Sequence, residues 1–227
     1  VREEKRKVTI AEGPLLRVLL PESPYQMWVD GELHDYLHVP HDGTRVEIID
    51  GEIVVSPAPR PMHNLIAQQI ADAIAFRRFN EPSYRWRCVQ NSALNFIAEE
   101  NGYIPDLLIV DVDVADTVWQ FNPANLVTDQ AELVLEVTSP ATARRDRPPA
   151  KAATAGKGKW CGYARAEIPY YLLVDLDPKV AQATLYSIPD PATGSYLHAD
   201  SWAFGETIVL PDPIALEIPT DRWKPWE

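Results

Sequence analysis

Two carboxylates stand where the pattern of the chain leaves little room for charge. Asp106 sits in Ile104-Pro105-Asp106-Leu107-Leu108-Ile109-Val110, and Glu136 in Leu133-Val134-Leu135-Glu136-Val137-Thr138-Ser139-Pro140. Short branched apolar runs bounded by Pro, Asp or Ser read as strands of a covered sheet. An unpaired carboxylate there costs on the order of several kcal/mol or takes up a proton. Two such strands imply that the acids converge on something positive, for which a divalent metal is the commonest candidate. Metal-dependent phosphodiester chemistry needs acidic oxygens, an activated water and a cation to offset charge growing on phosphate. Asp106 and Glu136 could supply the oxygens and the Val137 carbonyl one more, with waters completing an octahedral shell. The position two residues after Glu136, where a P-D then E-x-K pattern would place lysine, holds Thr138. The cation must therefore come from the basic passage that follows, which offers Lys151, Lys157 and Lys159.

The elements that must position these groups are legible in outline. Arg45 to Val55 predicts a hairpin turning at Asp50-Gly51, with Glu47, Ile49, Glu52 and Val54 on one face. A solvated face is the expectation for Glu47 and Glu52. Apolar residues at helical spacing predict an amphipathic helix over Met62 to Phe79, opened by His63 as a capping or packing residue. Tyr84 to Phe96 reads as one extended segment, and a polar loop holding Trp119, Phe121 and Pro123 separates the two acid-bearing strands. Lys159 to Ala166 predicts a helical turn or two, followed by strands over Ile168 to Asp175 and Val180 to Ile188. Trp28 to Leu37 suggests a short helix. Trp119, Trp160 and Trp202 are expected in a core or a dimer interface. The order is that of an α/β protein with a central mixed sheet flanked by helices and a β-rich periphery. Residues 1–40 read as an N-terminal extension, 41–188 as the core, and 189–227 as a β-rich extension of the same domain.

At 227 residues with a formal net charge of -12, the chain can bury one good core and repels polyanions at long range. That weighs against a generic nucleic-acid binder, although screening leaves a local reversal of field around a metal and a basic segment intact. With 21 Pro against 10 Gly, stiff loops and abrupt strand ends are expected. Cys88 and Cys161 are too few for a disulfide framework and have no metal-ligand spacing. No stretch approaches the apolar length of a membrane span, and a charged opening from Arg2 to Lys7 is unlike a signal peptide, so a cytoplasmic location is the expectation. GxGxxG, Walker, G-x-S-x-G and H-E-x-x-H patterns are all missing.

Taken in order, several pieces resemble the Uma-two group of restriction endonucleases within the PD-(D/E)xK superfamily. These are Val46 to Ile53 with Ser56-Pro57-Ala58-Pro59 and His63, then Ile104-Pro105-Asp106-Leu107, then Leu135-Glu136-Val137-Thr138-Ser139-Pro140. Asp146, Lys159 with Tyr163-Ala164, and Ile168 to Asp175 complete the series. The resemblance implies a restriction-endonuclease-like fold and a Mg²⁺-dependent endonuclease acting on DNA, with Mn²⁺ as a substitute. It implies Asp106 and Glu136 as metal ligands and a lysine moved from the strand to the next helix. Glu47 and His63 join the candidate site from the same blocks. Lys159 holds the spacing to Tyr163, while Lys151 keeps the family's spacing from Asp146, an Ala/Gly/Lys insertion lying between them. Lys159 is preferred because the helix and strand after it fix its register. A homodimer is expected from resemblance, each subunit cutting one strand. Two rivals stand beside this reading: a nuclease-fold protein that no longer cleaves and acts as a dimeric binding or regulatory module, and metal-dependent chemistry on a small phosphorylated molecule.

Overall fold

The computed structural model describes residues 6–10, 16–150 and 156–227, so Lys151 lies outside the described residues. The chain forms the expected α/β architecture, with its strands in two large mixed sheets and a small ribbon. The six-stranded sheet runs in the order β13 (Ser195–Ala203), β12 (Gln182–Asp190), β11 (Tyr170–Asp175), β10 (Leu133–Val137), β8 (Leu107–Asp111) and β5 (Trp86–Gln90). Only β10 and β11 are parallel within it. The seven-stranded sheet is ordered β2 (Leu16–Val18), β1 (Arg6–Ile10), β4 (Glu52–Ser56), β3 (Arg45–Ile49), β7 (Asn101–Tyr103), β6 (Leu94–Phe96) and β9 (Leu126–Val127). Within residues 1–40, β1 pairs with β4 in parallel, and α1 (Pro24–Val29) and α2 (Leu33–Tyr36) follow it. Toward the C-terminus β14 (Thr207–Val209) and β15 (Glu217–Pro219) make the ribbon.

Period-two alternation divides the central strands between two cores. Leu107, Ile109, Leu133, Leu135, Leu172 and Val174 face one cluster, where α3 (Pro61–Asn80) contributes Ile66, Ile70 and Ile74. Leu108, Val110, Val134, Tyr171 and Leu173 face the other, where α6 (Lys159–Arg165) contributes Trp160, Tyr163 and Ala164. Glu136 follows Val134 by two residues and so points toward α6.

Several local expectations are corrected. The polar loop between the acid strands is a helix, α4 (Val112–Phe121), because Asp111 caps it from the Asp113 N–H and left-handed Asn122 ends it. Val114, Ala115 and Val118 pack on the second core, while Trp119 and Phe121 are exposed, which takes Trp119 out of the core and leaves the interface expectation for it standing. Tyr84 to Phe96 is not one strand: Asn91 turns through a positive φ of 50° and sends β5 and β6 into different sheets. Along α3 the apolar face is narrower than the sequence implies, since Leu65 and Phe76 point outward. The Asp50-Gly51 turn is as expected, with φ of 53° and 72°. Both cysteines are free thiols, Cys161 buried and Cys88 half-buried. Among the described residues no helix is long and apolar enough to cross a membrane.

Candidate active site

Strand register brings the two acids together. Leu107 of β8 pairs with Leu135 of β10, and just before the strand begins Asp106 donates its N–H to the Leu135 carbonyl at 3.1 Å. Its Oδ2 accepts the Val137 N–H at 2.7 Å, and its Oδ1 accepts Arg45 Nη2 at the same distance. Asp106 and Glu136 are thus adjacent across the strand ends, 4% and 3% exposed.

Lys159 arrives from the opposite side. Gly158, with φ of 89°, opens α6, and a Cβ there would stand 2.7 Å from the Arg145 carbonyl oxygen, which restricts the position to glycine. The Gly158 N–H donates to Asp50 Oδ2 at 2.9 Å, so the β3–β4 turn fixes the start of the helix. Lys159 and Tyr163, four apart on one helical face, both reach Oε1 of Glu136, at 2.8 Å and 2.6 Å. Oε2 is then the atom with which Glu136 would meet a cation. Lys159 Nζ also lies 2.7 Å from Glu47 Oε1, which accepts the Ile104 N–H at 2.7 Å.

Glu47 is therefore 2% exposed and belongs to this cluster, not to a solvated face. Period-two alternation does set it beside Ile49 and Val54, but that face of the hairpin packs into the second core and against α6 instead of facing water. His63 is buried on the first turn of α3 and lines the same pocket, with Nδ1 meeting no hydrogen-bond partner among the described residues. Burial lowers its pKa, against the opposing pull of Asp106 and of backbone at Val137 and Thr138. Val137 lines the pocket too. Thr138, at the position of the missing lysine, is a structural residue: its hydroxyl donates to Asp175 Oδ1 at 3.1 Å and accepts the Leu176 N–H at 2.9 Å. Lys157 is exposed.

Three further residues belong to the constellation. Arg45 shares the face of Glu47 by the period of two, a signal present in the sequence but carried by one cation among 21. Tyr163 was marked only by its spacing from Lys159. Asp146, in α5 (Ala143–Asp146), is 1% exposed, and neither of its oxygens accepts a hydrogen bond from a described residue. Burial pushes Asp146 up to about 7 and Glu136 up to about 8, with Lys159 opposing in both cases. Lys159 itself is held above the usual lysine range: burial disfavours its charge, but Glu136, Glu47 and Asp146 outweigh it.

Among the described residues the carboxyl groups of Glu47, Asp106, Glu136 and Asp146 face Arg45 and Lys159 as internal cations, so acids outnumber bases, and burial meets the excess by favouring the protonated forms of Glu136 and Asp146. That imbalance, with a carboxylate-rich donor set of hard oxygens, fits one divalent cation. The pocket lined by Arg45, Glu47, Asp106, Glu136 and Lys159 has a volume of about 150 Å³ and opens past Pro57, Arg60 and Pro140, with Asp146 lying outside its lining. A larger cleft of about 720 Å³ adjoins it, sharing Arg45, Ala58 and Pro59.

The model of the Uma2 family, described as "Putative restriction endonuclease", matches residues 33–221. The fold is similar to that of a "putative nuclease belonging to DUF820" from Anabaena variabilis, at 16% identity and a TM-score of 0.53, covering 85% of this chain and 94% of that one. No curated protein matches the chain.

Proposed function

From the premise that this chain belongs to the Uma2 family, we propose that it is a metal-dependent endonuclease that hydrolyses phosphodiester bonds in DNA. The observation that carries this reading is the gathering of three buried carboxyl groups, Glu47, Asp106 and Glu136, with Lys159 on the lining of an open pocket. Asp106 and Glu136, with the Val137 carbonyl, would hold Mg²⁺, or Mn²⁺ in its place. Such an ion supplies an activated water and polarises a phosphate oxygen.

The protein's own groups have separable roles in this reading. Lys159, clasped between Glu136 and Glu47, stays protonated, which supports charge compensation and water orientation over proton abstraction. An ammonium has three N–H bonds, so with two directed at carboxylates the third is available to a phosphate oxygen or to the attacking water. Glu47 and Tyr163 position Lys159 and Glu136. His63 and Arg60 line the route by which a phosphate would enter. A two-fold dimer, in which each subunit cuts one strand, completes the proposal, and sedimentation with and without duplex DNA tests it.

One observation favours a second reading. Asp106 already spends both oxygens inside the protein, on Arg45 and on Val137, as a non-cleaving binding module would allow. Incubation with plasmid, single-stranded DNA and RNA, in Mg²⁺, Mn²⁺ or chelator, separates the two. Metal-dependent cutting of DNA is the expected result. Magnesium binding without cutting of any polymer would favour the module, and turnover of nucleotides alone would replace the polymer substrate with a small phosphorylated one.

A further inference from the structure

A second group of metal-ligating side chains lies apart from the carboxylate pocket. Three of the chain's five histidines, His34, His38 and His41, fall within eight residues. The short helix α2 carries His34 and Asp35, and the chain folds back immediately after it. His38, at a φ of 54°, donates its N–H to the Asp35 carbonyl at 3.0 Å, and Val39 donates to the His34 carbonyl at 3.2 Å. This turn returns His41 to the helix. His41 Nε2 stands 3.0 Å from Asp35 Oδ1, and His34 Nδ1 stands 3.8 Å from the same oxygen. One ligating atom from each of the three residues lies within 4.8 Å of the other two.

Three features argue that this is more than a surface ion pair. The imidazoles stack with centroids 4.5 Å apart and planes 25° from parallel, a contact that two protonated rings would oppose. A neutral imidazole carries one N–H and one lone pair, and the tautomers that place the lone pairs on His34 Nδ1 and His41 Nε2 would suit a cation held between them and Asp35. His34 Nδ1 is buried yet has no hydrogen-bond partner among the described residues, so a ligating atom is left unsatisfied. The neighbouring Asp42 is committed elsewhere, accepting the Thr44 N–H at 3.1 Å and its hydroxyl at 2.6 Å.

We propose that His34, Asp35 and His41 form a binding site for an imidazole-preferring divalent transition-metal ion, with Zn²⁺ as the best match. Two imidazoles and one carboxylate make a three-ligand set that leaves a fourth position to water. Zinc bonds of about 2.0–2.1 Å put tetrahedral ligand atoms about 3.3 Å apart, a spacing bracketed by the two distances to Asp35. Asp35 and His41 are exposed and free to close the remaining gap. Because His34, Asp42 and Thr44 line the larger cleft, the ion would pin the 37–44 segment to α2 along one wall of it. The proposal is independent of the nuclease reading, since no residue is shared with the carboxylate pocket.

The test uses the full chain without an affinity tag of histidines, in excess Mg²⁺ so that the carboxylate pocket is saturated. Titration with Co²⁺, read by its visible absorption, and with Zn²⁺, read by calorimetry, should give one site per chain. His34→Gln and His41→Gln should each weaken that binding at least tenfold, with circular dichroism unchanged, while His38→Gln and Glu136→Gln leave it intact. Binding that survives both histidine substitutions, or none in the intact chain, would overturn the proposal. If the variants fail to fold, diethyl pyrocarbonate labelling of the intact chain decides instead: Zn²⁺ should protect His34 and His41 but not His198, and equal labelling with and without Zn²⁺ would sink the idea.

Discussion

Arg45 Nη2 lies 2.7 Å from Oδ1 of Asp106, with the two side chains 13% and 6% exposed. A guanidinium thus occupies one oxygen of the carboxylate proposed to hold the metal, and the ion pair and the metal compete for it. Breaking a buried pair from one side leaves the other charge uncompensated, at a cost of about 3–5 kcal/mol. Arg45→Met should therefore lower stability by about that amount in chelator, and Mg²⁺ should restore a large part of it. Urea unfolding with and without Mg²⁺ measures both terms. Equal losses in the two conditions would show that Arg45 and the metal do not share Asp106.

Lys159 bridges Glu136 and Glu47 in the interior, so its removal strands two buried carboxylates. We expect Lys159→Met to destabilise the fold by about 3 kcal/mol or more. Adding Glu136→Gln should return part of that loss, a coupling of about 1–3 kcal/mol in a double-mutant cycle. Additive losses would mean that the two side chains do not interact in solution as they do here.

Asp146 supplies a pH signature. Its carboxyl is raised by burial from an ordinary 3.8 to about 7. Between those values the folded chain holds a proton that the unfolded chain has released, so stability falls as pH rises through that window and the penalty is complete above it. Asp146→Asn should be more stable than the parent at pH 8 and should flatten the dependence between pH 4 and 7. Thermal unfolding across that range reads it directly, and parallel curves for parent and variant would contradict the assignment.

Gly162 lets α6 approach β7, since a Cβ at this position would stand 2.3 Å from the Tyr103 hydroxyl oxygen and 2.9 Å from its ring. Overpacking of this kind costs about 1–3 kcal/mol. Gly162→Ala should lose that stability, and Tyr103→Phe, which removes the closest atom, should recover part of it. No recovery in the double variant would place the strain elsewhere.

The buried acids were readable because an apolar run of seven or eight residues has no other use for a charge, and Lys159 because the helix and strand after it fix its position. Arg45 was not, since a lone arginine at a strand start has no distinguishing neighbour until β8 packs beside it. Glu47 was misjudged because an Asp-Gly hairpin looks solvent-facing in isolation, and only the packing of its Ile49 and Val54 face into the second core, with Lys159 of α6, buries it. Helix α4 was hidden by Asp111, Asp113 and Asp116, which gave a polar appearance to a segment whose apolar contacts are few. At Asn91 a single backbone turn parts β5 from β6, an event that side-chain periodicity does not record.

The central claim is that Asp106, Glu136 and Lys159 form one metal-dependent hydrolytic centre. Its most direct test is the single-turnover rate of plasmid cleavage in Mg²⁺ by the intact chain, Asp106→Asn, Glu136→Gln and Lys159→Met, each first shown to be folded. The account predicts cutting that chelator abolishes and that each substitution slows by about a thousandfold, equivalent to about 4 kcal/mol of barrier. Undiminished metal-dependent cleavage by folded Asp106→Asn would contradict it.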